Sequence, residues 1–486
     1  MRYKILLFIA FTTVFATCKS TKVVKNINKP NVIFFLVDDL GWTDLGCYGS
    51  TYHETPNIDQ LAKEGIRFTN AYASCPVCSP TRASILTGKH PARLNITDWI
   101  PGSDPKDRPL LGTKDQHELP LAENTLAEAL KQIDYQTAFF GKWHLGEQGY
   151  YPEDQGFDIN KGGHWAGQPA SYFYPYKNER KRWDVPNLEN GEDGEYLTDR
   201  LTQEATQFMR AQKDNPFFLY LAYYSVHTPI QAKPKLDEKY QAKRNKYFAN
   251  ATTTFKAERD NQSRQEQDNP AYAGMVQSVD ESVGTILNHL EQLGLSENTL
   301  IIFTSDNGGL STLPGNRTAP ASVIPLRAGK GWLYEGGIRV PAIIKWPNQI
   351  AAKTVSAMPV TSTDYYPTIL AATAFSPNQY TVKDGQNLIP FLQESSQPAR
   401  NLYWHFPHYH GSGNKPSAAI RSNNYKLIEW MEDGQIELYD LEKDVEEQSN
   451  LATQLPTKAK ELQRELREWQ LDIGALFPVK NPDFEE

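Results

Sequence analysis

Asn31-Val32-Ile33-Phe34-Phe35-Leu36-Val37 is an almost unbroken apolar run that stops at Asp38-Asp39-Leu40-Gly41. A run of this length and composition predicts a strand covered on both faces, as at the centre of a parallel sheet. Three more runs repeat the pattern: residues 137–140, residues 217–224 and residues 299–304. Each gives way to a polar cluster: Gly141-Lys142-Trp143-His144, Ser225-Val226-His227-Thr228-Pro229 and Ser305-Asp306-Asn307-Gly308-Gly309. Helical patterns over residues 124–131 and 271–293 fall between them, so the fold class is α/β. Open sheets of this class place ligands just beyond the carboxyl ends of their strands. Asp38-Asp39 stands at such an end, and adjacent carboxylates are hard oxygen donors suited to Ca²⁺ or Mg²⁺. Read alone, the pair is better taken as a solvated turn before Gly41; its place directly after the first strand, ahead of the cysteine motif, favours the metal reading.

The chain has 486 residues, long enough for one large and one small domain. Its net charge of −8 leaves no basic surplus to neutralise phosphates, which excludes a general nucleic-acid binder. The 25 tyrosines and 10 tryptophans suit stacking on sugar rings and suit a large core equally well. At the N-terminus, Met1-Arg2-Tyr3-Lys4 precedes an apolar stretch over residues 5–16 and then Ala16-Thr17-Cys18. That stretch is too short to span a bilayer and reads as a signal peptide over residues 1–17. Cys18 then forms a loose lipoprotein box, with residues 18–29 as a polar tether; simple cleavage and free secretion is the alternative. Either way the protein is expected to be exported, periplasmic or an outer-membrane lipoprotein, touching membrane only through that anchor. Four cysteines in all do not make a disulfide scaffold.

Cys78-Ser79-Pro80-Thr81-Arg82-Ala83-Ser84-Ile85-Leu86-Thr87-Gly88 has a local logic of its own. Ser79-Pro80 starts a helix well, which puts residue 78 near a positive helix end where an anion is welcome. Cys75-Pro76-Val77-Cys78 also fits a redox or zinc pair, but no second cysteine pair completes a zinc site and Arg82 is left unexplained.

The stretch resembles the formylglycine signature of the type I sulfatases, Cys-x-Pro-x-Arg with a Leu-Thr-Gly tail. The family tail usually continues with Arg; here Lys89-His90 follows Gly88. The resemblance spans nearly all of residues 30–475, with the separate motifs in family order. It implies an alkaline-phosphatase-like mixed sheet sandwiched by helices over residues 30–375, and a small C-terminal α+β domain with an antiparallel sheet over residues 376–486. It further implies a sulfuric ester hydrolase working by S–O cleavage. Cys78 is then oxidised to formylglycine by a formylglycine-generating or anaerobic maturation enzyme, and its hydrate offers one hydroxyl for attack and one for release. The metal ligands implied are Asp38, Asp39, Asp306, Asn307 and an oxygen of modified residue 78, around Ca²⁺ in preference to Mg²⁺. Gly-Lys-Trp-His-x-Gly assigns Lys142 and His144 to the formylglycine oxygens and sulfate, His144 helping to deprotonate the second hydroxyl. His227 is expected to protonate the leaving alcohol, which suits imidazole. Lys330, in Gly329-Lys330-Gly331 before Glu335-Gly336-Gly337, is the sulfate-binding lysine, and Arg82 holds charge.

Residues 233–269 are dense in Lys, Glu, Arg, Asn and Gln and predict a solvated helical insertion bordering the cleft. Past a boundary near residues 375–379, short alternating stretches at 401–406, 418–422, 425–429 and 435–440 predict the antiparallel sheet, and residues 457–471 a helix packed on it. Trp404-His405-Phe406-Pro407-His408-Tyr409-His410-Gly411 holds three of the 10 histidines. A transition-metal site is one reading; the preferred one is a loop over the cleft with His408 and His410 touching a sulfated sugar. The substrate expected is a sulfated polysaccharide or oligosaccharide, such as an algal galactan, ulvan or glycosaminoglycan. The alternatives are a phosphodiesterase or phosphonate hydrolase on the same scaffold, and a catalytically silent glycan-binding surface protein.

Overall fold

The apolar run forms strand β1 (Asn31–Val37), buried at every residue. It is a central strand of an eight-stranded sheet, seen in a computed structural model that describes residues 29–178, 183–248, 252–315, 317–375, 384–392 and 399–485. The other strands are β2 (Ile66–Phe68), β3 (Gln136–Gly141), β4 (Ile159–Lys161), β5 (Phe217–Ala222), β6 (Thr299–Ser305), β7 (Ala342–Lys345) and β8 (Thr354–Ser356). Their spatial order is β8-β2-β7-β6-β1-β5-β3-β4. Strands β6, β1, β5, β3 and β4 run parallel, while β7 is antiparallel to both of its neighbours, so the sheet is mixed.

Alternation along β1 divides the core in two. Val32, Phe34 and Leu36 face a cluster that includes Ala83 and Leu86 of the helix Cys78–Thr87 and Ile369 of the helix Tyr365–Ala372. Ile33, Phe35 and Val37 face the helices Pro56–Glu64, Leu197–Ala211 and Pro270–Gln292 through Leu61, Leu201 and Val279. Burying side chains on both faces removes the need for polar alternation, which is why β1 reads as a continuous apolar run. Register then fixes the site. Leu36 is level with Thr304 and Ala222, and Ala222 with Gly141. The residues just beyond these four strands therefore converge.

The C-terminal region is the expected antiparallel sheet: β9 (Asn401–Phe406), β10 (Ser417–Ser422), β11 (Tyr425–Trp430) and β12 (Ile436–Asp440), paired in that order. The helix Pro456–Asp472 covers one face through Leu462 and Leu466. The other face, with Trp404, Phe406 and Trp430, packs on Trp332, Tyr334 and Ile338. Residues 376–383, across the expected domain boundary, and residues 1–28, with the expected signal peptide, Cys18 and most of the tether, lie outside the described residues. No described helix is long and apolar enough to cross a membrane.

Residues 233–269 depart from expectation. Among its described residues only Pro234–Phe248 is helical; Phe255–Glu258 and Asn261–Arg264 form a hairpin that pairs with Thr312–Pro314. Its charge density hid the strands because Arg264 is buried against Asp268 and is not solvated. No described residue of this segment lines the cleft above Cys78.

A buried charge network locks the small sheet to the large domain. Lys426 Nζ lies 3.0 Å from Glu335 Oε1 and 2.9 Å from Glu447 Oε1, and Glu335 also accepts from Tyr72 at 2.8 Å and pairs with Arg339 at 2.7 Å. Breaking a buried pair by removing one partner strands the other charge. Lys426→Met should therefore lower unfolding stability by about 3–5 kcal/mol, read as a lower denaturant midpoint. An unchanged midpoint would show that the network contributes nothing to docking.

Candidate active site

Four strand ends supply the site. Asp38 and Asp39 follow β1, Asp306 and Asn307 follow β6, Lys142 and His144 follow β3, and His227 follows β5. A helix supplies the rest: Cys78 is the first residue of Cys78–Thr87, with Arg82 one turn on. The short first turn places residue 78 where free backbone N–H groups favour negative charge. The helix ends at Gly88, whose φ of +68° and N–H bond to the Ser84 carbonyl close it. Lys330 arrives from the loop between β6 and β7.

Each buried carboxylate has a cation beside it. Lys142 Nζ donates to Asp38 Oδ2 at 2.7 Å, Lys330 Nζ lies 2.7 Å from Asp39 Oδ1, and Arg82 donates to Asp306 Oδ2 through Nε at 2.9 Å. Arg82 also donates to the Lys142 carbonyl at 2.6 Å, tying the helix to the end of β3. Asn307 Nδ2 donates to Asp39 Oδ1 at 2.8 Å, leaving Asn307 Oδ1 buried without a hydrogen-bond partner, as is Asp38 Oδ1. Burial, with Asp306 and Asp39 close by, pushes the Asp38 carboxyl well above its usual range despite Lys142. At Asp39 burial acts upward too, but Lys330 and His227 outweigh it and hold the carboxyl well below that range. Asp39 and His144 both adopt positive φ, 59° in each case. Such backbone in non-glycine residues persists only where surroundings over-determine it.

The histidines are oriented differently. His144 Nε2 faces the Ile100 carbonyl, which can only accept, so Nε2 carries the proton and Nδ1 presents a lone pair 3.4 Å from Cys78 Sγ. Burial, aided by Lys142, keeps His144 neutral to well below its ordinary value. Gly167 makes this fit: a Cβ there would stand 2.4 Å from the His144 ring. His227 Nδ1 donates to the Thr228 carbonyl at 3.0 Å, and its Nε2 lies 3.7 Å from Asp39 Oδ2. Burial and then Lys330 lower its pKa well below the ordinary value.

Asp38, Cys78 and Asp306 each bring a ligand atom within 4.8 Å of the others, as do Asp38, Asp39 and His227. Carboxylate oxygens and an orphaned amide oxygen form a hard donor set, and that set fits Ca²⁺ or Mg²⁺. Cys75 takes no part: its Sγ faces the Thr97 carbonyl at 3.8 Å, and no disulfide joins it to Cys78.

The Sulfatase family's sequence profile matches residues 30–375. The chain belongs to the sulfatase family. A second profile, that of the C-terminal part of N-sulphoglucosamine sulphohydrolase, matches residues 328–472. A sulfatase of Formosa agariphila is 31% identical over 94% of this chain and 91% of its own length. The N-acetylgalactosamine-6-sulfatase of Rattus norvegicus is 34% identical over 82% and 71%. Among solved structures, Ps i-CgsB in complex with k-i-k-neocarrahexaose superposes with a TM-score of 0.74 at 30% identity, covering 94% of each chain. This sulfatase is thus a sulfuric ester hydrolase of alkaline-phosphatase-like fold.

Of the two histidines expected at a substrate loop, only His410 lines the cleft above Cys78. His408 is buried with its Nε2 2.8 Å from Thr97 Oγ1, packed on Phe406, which corrects the expectation that it meets substrate. Nor do the three histidines gather a metal: His405 Nε2 donates to the Leu476 carbonyl. The sequence reading passed over residues 98–103, which bring Trp99, Ile100, Pro101 and Ser103 to the cleft of this sulfatase. Its signal was the Asp98 Asx-type turn: Asp98 accepts from the N–H groups of Trp99 at 2.8 Å and Ser103 at 3.0 Å. Burial pushes the Asp98 carboxyl up to about 8. The unfolded chain releases that proton near pH 4, so between about pH 4 and 8 the folded state holds one proton more and loses stability as pH rises. Asp98→Asn keeps an acceptor without titrating. The fall in unfolding midpoint between about pH 5 and 8 should be smaller in this variant than in the wild type; equal falls would count against a protonated Asp98.

Proposed function

We propose that this sulfatase removes sulfate from sulfated polysaccharides or oligosaccharides outside the cytoplasm, using formylglycine made from Cys78 and a divalent cation, calcium before magnesium. The observation that carries the reading is the place of Cys78: first residue of its helix, beside Asp38 and Asp306, facing the unprotonated Nδ1 of His144. A thiol Sγ occupies the position where a hydrate's oxygens would stand. The hydrated aldehyde would offer one hydroxyl for attack on sulfur and another for the release of sulfate. Asp38, Asp39, Asp306 and Asn307 would hold the cation, whose charge would polarise the sulfate group. The relatives named for N-acetylgalactosamine-6-sulfate cleavage and for a bound neocarrahexaose support a glycan substrate. Export rests on residues 1–18 alone.

The chain's own residues do the remaining work. Lys330 and Lys142 point ammonium groups at the centre and hold sulfate oxygens; both are buried, where charge is little screened. Arg82 fixes the Asp306 carboxylate, so that neither group has to reorganise during reaction. His144 takes a proton at Nδ1, the nitrogen turned to residue 78. His227, its Nδ1–H held by the Thr228 carbonyl, must first take a proton at Nε2, and from there it would pass that proton to the departing alcohol oxygen. Burial and then Lys330 depress the His227 pKa; a sulfate bound beside the lysine would offset the second of these and favour the protonated ring.

Peptide mass spectrometry across residue 78, in protein produced with a maturation enzyme, should show the mass loss of thiol-to-aldehyde conversion. Unmodified cysteine in active protein would overturn the reading. Chelation should abolish turnover of sulfate esters, with Ca²⁺ restoring it better than Mg²⁺. His227→Ala should lower kcat by roughly 10²–10⁴ on sugar sulfates and by less on an aryl sulfate, whose alcohol leaves without help. Equal losses on the two substrates would remove His227 from the acid role.

A further inference from the structure

The cleft above Cys78 encloses about 440 Å³, more than one sulfate group fills. Its floor is Cys78, His144, His227 and Lys330; its rim is of another character. Trp165 is 38% exposed and meets Trp183 edge to face with ring centroids 5.2 Å apart. This wall is anchored to the reacting end: Trp183 Nε1 donates to the Gln168 carbonyl at 3.3 Å, and Thr228, next to His227, donates to Gln168 Oε1 at 3.0 Å. The loop after Thr312–Pro314 brings Arg317 to the same cleft. Arg317 is exposed, and among the described residues no acid pairs with its guanidinium. Lys142, Lys330 and Arg82, by contrast, are each committed to a carboxylate.

We propose that Trp165, Trp183 and Arg317 form a subsite for the sugar next to the one being desulfated, and that this neighbour carries an anionic group of its own. The proposal rests on the glycan-sulfatase reading above. The floor holds the reacting sulfate, so whatever reaches the exposed rim belongs to the next unit of the chain. A rigid tryptophan pair offers the flat apolar face that a pyranose ring covers. The unpaired guanidinium selects an anion there, since its planar fork of donors matches sulfate and carboxylate alike. The chemistry recognised is an anionic oxygen cluster, from a second sulfate ester or from a uronate carboxylate.

The test compares four substrates of the matured enzyme: an aryl sulfate, a monosulfated disaccharide with a neutral neighbour, the same with a second sulfate on the neighbour, and the same with a uronate neighbour. Trp165→Ala should lower kcat/KM roughly three- to tenfold on all three disaccharides and leave the aryl sulfate unchanged. Arg317→Ala should lower it roughly tenfold only on the anionic neighbours, and that selectivity should shrink at high salt. Whichever anion loses more identifies the source. Calorimetric binding of the same disaccharides to Cys78→Ala reads the subsite without turnover and should show the same Arg317 dependence. Losses shared by the aryl sulfate, or no Arg317 dependence in either measurement, would overturn the subsite. Failure of the matured wild type to hydrolyse the aryl sulfate would instead strike the catalytic reading, leaving the binding result to decide the subsite.

Discussion

Three carboxylates from two adjacent strand ends, each with a buried cation against it, are the constraint on which this structure turns. Asp38 with Lys142, Asp39 with Lys330 and Asp306 with Arg82 are all withdrawn from water. Burying such pairs is unfavourable unless geometry is close to ideal. The fold supplies that geometry through the parallel register of β6, β1, β5 and β3, which brings the pairs level. Pairing is incomplete, however: Asp38 Oδ1 and Asn307 Oδ1 keep unused lone pairs in a dry environment. Orphaned buried acceptors are rare in folded proteins, and here they lie on neighbouring strand ends, as a shared cation requires.

Lys330 makes the two parts of the chain one catalytic unit. It sits in a short segment whose next residues, Trp332, Tyr334 and Ile338, belong to the core of the C-terminal sheet, while Glu335 carries the buried network to Lys426. The lysine at the reaction centre is therefore held by a sheet formed some 70 or more residues later in sequence. That the C-terminal profile starts at residue 328, well before the end of the first match at 375, has this physical basis. A boundary drawn by chain position near residue 375 separates segments that the packing joins.

What could be read in the sequence followed what was periodic or local. Buried strands declare themselves as apolar runs, and the polar cluster after each one lands at the sheet's carboxyl edge; that placed Asp38, Lys142, His227 and Asp306 at strand ends, while the resemblance to the sulfatase motifs singled them out. The Cys78 helix announced itself through Pro80. Loops carry no such period. His408 and His410 differ by two residues, and nothing local says that one is tied to Thr97 while the other faces the cleft. The hairpin over residues 255–264 was hidden in a charged stretch of which two members, Glu258 and Arg264, are buried and paired inside the fold. The tryptophans of the rim lie in a loop where aromatic residues read equally as core.

Charge on the surface and charge at the centre pull in opposite directions. A chain of net charge −8 repels a polyanionic glycan at long range, so electrostatic steering by the whole molecule works against encounter. The repulsion is screened beyond about 10 Å at ordinary ionic strength. Attraction must therefore come from groups that the substrate touches. At the centre the lysines are already matched to aspartates; under the proposed function they would turn to a sulfate as those aspartates engage a divalent cation. On that reading metal and anionic substrate would favour each other's binding, each relieving the charge the other leaves uncompensated, and a site closed to water is where such coupling is strongest.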